Sequence, residues 1–177
     1  MQSAKLFSRL GFKSFSSYAP KSMVAFSNEG KKLLFSYNDD KTFRDGLLLG
    51  TGAQSSFLAY YFLVYESTMS LVGFGLTSIF SLGIMAQARN TPALLHLMKD
   101  GQHIELINYT PTGKQSQKAV KIPISEIQAL KGRDGYKIVW KKRVFVLSRE
   151  GQVHDWEILL AVLRGLSIET DQFVTEA

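Results

Sequence analysis

Hydrophobic and polar positions along this chain follow three different rhythms. Residues 46–88 are almost continuously apolar: GLLLGTGAQSSFLAYYFLVY, then Glu66, then STMSLVGFGLTSIFSLGIMAQA, with Glu66 the one charged side chain in the stretch. Each arm holds about 20 residues, and at ~1.5 Å of helical rise per residue each spans the ~30 Å hydrocarbon core of a bilayer. The pattern predicts two membrane-crossing helices joined by a turn at 65–68. A pair of long buried helices in a soluble protein is the alternative, although buried apolar runs are usually nearer 10–14 residues. Small residues recur every fourth position: Gly46 and Gly50, Gly52 and Ser56, and Gly73, Thr77 and Ser81. Such stripes let helix backbones approach closely in lipid, so these faces are expected to close the pair on itself or to receive a partner helix. Gln54, the most polar side chain of the first arm, needs a hydrogen-bond partner there.

Beyond residue 92 the rhythm shortens. Runs at 94–98, 103–109, 119–124, 136–140 and 144–148 read as strands, separated by turn residues at 99–101, 111–113 and 133–135. Residues 118–124 alternate polar and apolar, and Pro123 marks an edge strand or a strand end. Asp155 is placed to cap a helix over 156–164 that stops at Gly165, with Trp156, Leu159, Leu160 and Leu163 on one face. Upstream, 23–26 and 33–37 are short β-type runs around the turn Asn28-Glu29-Gly30, a β pair positioned to add strands to the same sheet. The expected fold class is an α+β membrane protein: a transmembrane helical hairpin plus a small antiparallel β-sheet domain closed by a C-terminal helix. The segments are 1–22, a basic targeting-like stretch; 23–45, the β pair and a basic pre-membrane segment; 46–88, the hairpin; 89–166, the sheet and helix; and 167–177, an acidic tail that docks on a neighbour or stays disordered.

Charge then gives the hairpin an orientation. Residues 1–28 contain no acid but carry Lys5, Arg9, Lys13 and Lys21 among six serines before Met23, the composition of a mitochondrial targeting segment or, alternatively, of a basic disordered tail. The net charge is +6 and the pI about 9.5, which suits anionic lipid, nucleic acid or a basic compartment. Lys31, Lys32, Lys41 and Arg44 precede the first arm and Arg89 follows the second, so both termini are expected on one side, the matrix side of a mitochondrial inner membrane. The same five residues are candidate contacts for lipid headgroups such as cardiolipin, or orientation signals without a dedicated lipid site.

Candidate chemistry is sparse. Cysteine is absent, which removes disulfides and cysteine-ligated metals. His96 and His103 flank a predicted hairpin and His154 lies apart, with no acidic partner completing a metal set, so ordinary sheet-surface histidines are expected. Leu47-Leu48-Leu49-Gly50-Thr51-Gly52 imitates a dinucleotide-binding turn, but Ser55 replaces the third glycine and no βαβ pattern follows. No nucleophile elbow accompanies the serines. Lys141-Lys142-Arg143 reads as a solvated hairpin tip, with RNA or headgroup contact as the alternative. No ionisable group lies within either arm, which argues for an anchor and against an ion conduit. No catalytic, metal or cofactor site, nucleic-acid partner or small-molecule substrate is expected.

In layout, a basic targeting segment, a short β pair, a tight two-helix hairpin and a β-rich body with the strand-and-turn rhythm of 94–124, the chain resembles the mitochondrial two-helix hairpin proteins typified by transmembrane protein seventy. The resemblance implies an assembly factor for respiratory complexes or ATP synthase; lineage-specific accessory subunits share the layout. No diagnostic motif carries functional residues over. The leading expectation is a non-enzymatic accessory subunit of a mitochondrial inner-membrane respiratory-chain or ATP synthase complex, binding neighbouring subunits. An assembly factor is the close alternative, and a membrane-anchored lipid-binding module the third.

Overall fold

Period-two alternation and turn chemistry build the second half of the chain, but its strands divide between two main sheets where the pattern predicts a single sheet of about five strands. The computed structural model describes residues 17–21, 23–38, 40–63, 68–132 and 135–170. In chain order these form β1 (Ser17–Tyr18), β2 (Lys31–Ser36), α1 (Asp40–Leu63), α2 (Thr68–Asn90), β3 (Pro92–Met98), β4 (His103–Tyr109) and β5 (Gln115–Pro123). A 3₁₀ turn (Ile124–Glu126) leads to β6 (Gln128–Gly132), β7 (Gly135–Trp140), β8 (Arg143–Ser148), β9 (Gln152–Val153), α3 (Trp156–Leu163) and β10 (Ser167–Ile168). The fold is mixed α+β, with antiparallel main sheets.

One sheet has the order β5-β4-β3-β2-β9 and a second the order β6-β7-β8. Leu34, Phe35, Leu95, Leu97, Ile104, Leu106 and Ile122 from the first meet Ile138, Phe145 and Leu147 from the second in one core. Pro123 ends β5, which is an edge strand, so its missing N–H interrupts no interior ladder. The tip between β7 and β8 is a tight turn with Lys141 and Lys142 both at positive φ, 43° and 67°.

The strand β2 has a different partner from the one its sequence neighbourhood suggests. It pairs antiparallel with β3 on one side and with β9 on the other, while His154 N–H donates to the Leu34 carbonyl. Both edges being taken, 23–26 forms no strand; Val24 and Phe26 pack against the core from an irregular segment. The turn at Asn28-Glu29-Gly30 is present, with Gly30 N–H donating to the Ser27 carbonyl. Because α1 and α2 are the whole connection between paired strands β2 and β3, their feet are held side by side. Tyr37 N–H donates to the Ala93 carbonyl at 2.8 Å, and Phe43, Ala88, Ala93 and Tyr109 form a second buried cluster at that point. The Tyr109 hydroxyl donates to the Tyr37 carbonyl, and its ring lies 5.2 Å from that of Phe43.

The helix α3 closes the core. Asp155 caps it, Oδ1 accepting from Ile158 N–H at 3.1 Å, and the chain leaves through Gly165 at φ 78°. Its buried face is wider than expected: Ile158, Leu159, Ala161, Val162 and Leu163 are buried, Leu160 is half-buried, and Trp156 is half exposed against Tyr136. The segment expected as a free tail begins as structure: β10 pairs in parallel with β1, Ile168 is buried, and Ile168 N–H donates to the Gly101 carbonyl. Residues 171–177 lie outside the described residues, as do 1–16, which carry most of the targeting-like composition, and the turn holding Glu66.

Asp155 also holds Lys32, Nζ to Oδ2 at 2.6 Å between partly buried side chains. Asp155→Ala is expected to lower stability by about 1 kcal/mol or somewhat more, and Asp155→Asn, which keeps a capping oxygen, by less. Thermal unfolding of the detergent-solubilised chain should resolve this as about 2–4 °C per kcal/mol.

Candidate functional site

The two helices pack antiparallel, their contacts running from Gly46 beside Ile84 through Gly50 beside Ser81 and Gln54 beside Ser78 to Gly73 beside Phe57. A Cβ at Gly50 would overlap the Ser81 hydroxyl, and one at Gly73 would stand 2.5 Å from the Phe57 ring. Gln54 Nε2 donates to Ser78 Oγ at 3.1 Å, the partner an amide in this position requires. Gly46, Gly50, Gln54, Gly73 and Ser81 therefore form the seam between α1 and α2. Gly52 and Ser56 do not: nothing lies within 4 Å of a Cβ at Gly52, and both residues face outward. Thr77 is half-buried, bonding back to the Gly73 carbonyl. The glycine-rich 47–55 is helical throughout, so no phosphate-cradling turn forms there.

Outside the seam the pair is apolar and uncovered. Of the nineteen large hydrophobic side chains exposed among the described residues, fifteen lie on α1 and α2, including Leu49, Phe62, Leu63, Met69, Leu76, Ile79 and Leu82. At ~1.5–3 kcal/mol for each fully buried side chain, covering them is worth on the order of 20 kcal/mol, more than the net stability of an ordinary domain. The helix hydroxyls are satisfied without water: exposed Thr51, Ser55 and Ser56, and half-buried Thr77 and Ser78, each donate to a carbonyl three or four residues back in the same helix. The helix Thr68–Asn90 has a window of mean hydropathy 1.8 with 11% of its residues buried, and among the described residues it alone is long and apolar enough to cross a membrane. The companion α1 is diluted by Gln54, Tyr60 and Tyr61 and by the charged first turns at Lys41, Arg44 and Asp45.

The five basic residues proposed for headgroups separate into two groups. Lys31 meets Glu105 at 2.7 Å and Lys32 meets Asp155 at 2.6 Å, both pairs lying within the β body. Lys41, Arg44 and Arg89 are exposed near the feet of the helices, with Arg44 3.5 Å from Asp45. Two further cations join Arg89: Lys118 of β5, which the sequence did not single out, and Arg143 of β8, from the tip whose alternative reading was RNA or headgroup contact, line the same cavity of about 370 Å³ at the foot of α2. The first sheet's order sets β4 and β5 beside that foot, and the packing of β8 of the second sheet against α2 brings Arg143 there. A second cavity of about 370 Å³ lies between α3 and the β7–β8 sheet, with Phe35, Tyr136, Leu147 and Trp156 in its walls.

The histidines occupy three separate places. His103 Nδ1 is 2.7 Å from Asp100 Oδ2, His154 Nε2 is 2.8 Å from Ser36 Oγ, and His96 lies opposite Glu105 on the sheet. No group of three or more His, Asp or Glu suited to a metal occurs among the described residues. Burial pushes the His96 imidazole below its ordinary value of 6.5, the Glu105 carboxylate opposing this and Lys31 assisting it.

Compared with known proteins, the chain matches no family model, and no curated sequence matches it.

Two predictions follow from this geometry. Gly73→Leu should destabilise the helix pair by about 1–3 kcal/mol through overpacking against Phe57, whereas Gly52→Leu should change stability by less than about 0.5 kcal/mol; protease resistance and melting in detergent compare them. The depressed His96 value means the unfolded chain binds the proton more tightly than the folded one. Stability is therefore full above pH ~6.5 and declines as pH falls from there through the folded value. His96→Gln should flatten that part of the melting-temperature profile, and an unchanged slope would assign it to other groups.

Proposed function

We propose that this protein is a non-enzymatic accessory subunit of a mitochondrial inner-membrane respiratory-chain or ATP synthase complex, with α1 and α2 both crossing the membrane as a hairpin anchor. The observation that carries the anchoring is the apolar sheath on the two helices, left outside the core, with the hydroxyls of Thr51, Ser55, Ser56 and Thr77 bonded to their own helix backbone. Lipid or the helix of a neighbour is the cover that surface requires. Gln54 lies in the seam and bonds to Ser78, so it does not weigh against a span by α1.

The pairing of β2 with β3 puts the β body at one end of the helix pair, so a crossing pair leaves the body on one side. The acid-free composition of residues 1–28 and the basic flanks favour the matrix as that side. The outward Gly52–Ser56 face is the position at which we place a partner helix, and the β body and both tails are the surfaces for neighbouring subunits. The layout likewise supports kinship with the two-helix mitochondrial hairpin proteins.

Native-gel separation of mitochondria in mild detergent, with mass spectrometry of the bands, tests the reading. A subunit co-migrates in constant stoichiometry with one complex, whereas an assembly factor appears only with incomplete forms, and a free monomer alone contradicts both. Protease added to mitoplasts should spare the exposed tip at Lys142 if the body faces the matrix, and cleavage there would reverse the topology.

A further inference from the structure

We infer that the cavity at the foot of α2 is a binding site for the phosphate of an anionic phospholipid headgroup, with Arg89, Lys118 and Arg143 as its cationic contacts. This rests on the membrane-anchored reading above. Three elements distant in sequence, α2, β5 and β8, each contribute one cation to a cavity of about 370 Å³ whose other polar walls are Asn90, Asn108 and Ser116. No carboxylate lines it, and none of the three cations is in an ion pair among the described residues. Lys31 and Lys32, by contrast, are each neutralised by an acid of the β body. Like charges around one cavity repel, and an anion between them reverses the sign of that interaction.

The partial negative charge at a helix C-terminus would ordinarily compete for such cations. Here the last carbonyls of α2 have other donors: Thr91 Oγ1 donates to Gln87 at 2.9 Å, Thr91 N–H to Ala88 at 3.3 Å, and Asn108 Nδ2 to Arg89 at 2.9 Å. The Arg89 guanidinium is thereby left uncommitted. Its depth also fits. Arg89 and Asn90 end α2, which among the described residues is the helix long and apolar enough to span a bilayer, so the cavity falls at the level where headgroups meet water. Arg143 follows a turn that holds Lys141 and Lys142 at positive φ, where Asn-Gly is the easier choice.

Binding is read by native mass spectrometry of the detergent-solubilised full chain titrated with phosphatidylglycerol or phosphatidylcholine, and separately with inorganic phosphate. Phosphatidylglycerol should bind at least tenfold tighter than phosphatidylcholine, and each of Lys118→Ala and Arg143→Ala should weaken it about fivefold. Arg89→Lys, which keeps the charge and the fold, should lose less than Arg89→Ala. Equal binding of the two lipids, a preference unchanged in the variants, or inorganic phosphate displacing phosphatidylglycerol at equimolar concentration would each overturn the assignment. Flotation of the chain with neutral phosphatidylcholine vesicles keeps the two ideas distinct: a chain that floats yet shows no anionic preference retains its anchor and loses this site, and a chain that does not float loses both.

Discussion

The pairing of β2 with β3 is the constraint on which the rest of the structure depends. These strands are neighbours in the sheet, with Lys31 opposite Met98 and Ser36 opposite Leu94, yet both long helices lie between them in the chain. Bringing the strands together fixes where α1 begins and α2 ends, and the Phe43–Ala88–Ala93–Tyr109 cluster locks that junction. From it follow the antiparallel helix seam, the placement of the body at one end and the meeting of Arg89 with β5 and β8. Ordering such a long insertion against a sheet carries only a slowly growing closure cost, and the adjoining core of Leu34, Phe35, Leu95 and Leu97 offsets it.

Two environments are therefore built into one short chain. The β body and α3 bury their apolar side chains in a common core, whereas α1 and α2 bury little beyond a narrow seam of Gly46, Gly50, Gly73 and Ser81. The seam uses close backbone approach, the interaction that still favours association where surroundings are as apolar as the helices. Lys41, Arg44 and Arg89 lie near the feet of the helices, where Lys118 and Arg143 line a cavity with Arg89, whereas Lys31 and Lys32 are paired with acids of the body.

Much of this was legible in the sequence, for local reasons. The strands β3, β4, β7 and β8 carry clean alternation between turn residues, and Asp155 and Gly165 bracket α3. What escaped depends on non-local pairing. Residues 128–132 show little alternation because β6 is an edge strand with Leu130 facing outward, and 23–26 is apolar throughout but both edges of β2 are taken by β3 and β9. Lys31 and Lys32 are near the first helix in sequence, but six residues of extended β2 carry them about 20 Å away from its foot. Lys118 joins Arg89 through the order of the first sheet, and Arg143 through the packing of the second sheet against α2.

The central claim, that the outer faces of α1 and α2 lie in lipid, has a direct test because the chain contains no cysteine. Single cysteines at Leu76, Ile79 and Leu82, and at Glu150 in the body, take a nitroxide label whose collisions with dissolved oxygen and with a water-soluble nickel chelate are measured in proteoliposomes. The account predicts high oxygen and low nickel accessibility at the three helix positions and the reverse at Glu150. Nickel-accessible labels along α2 would contradict it.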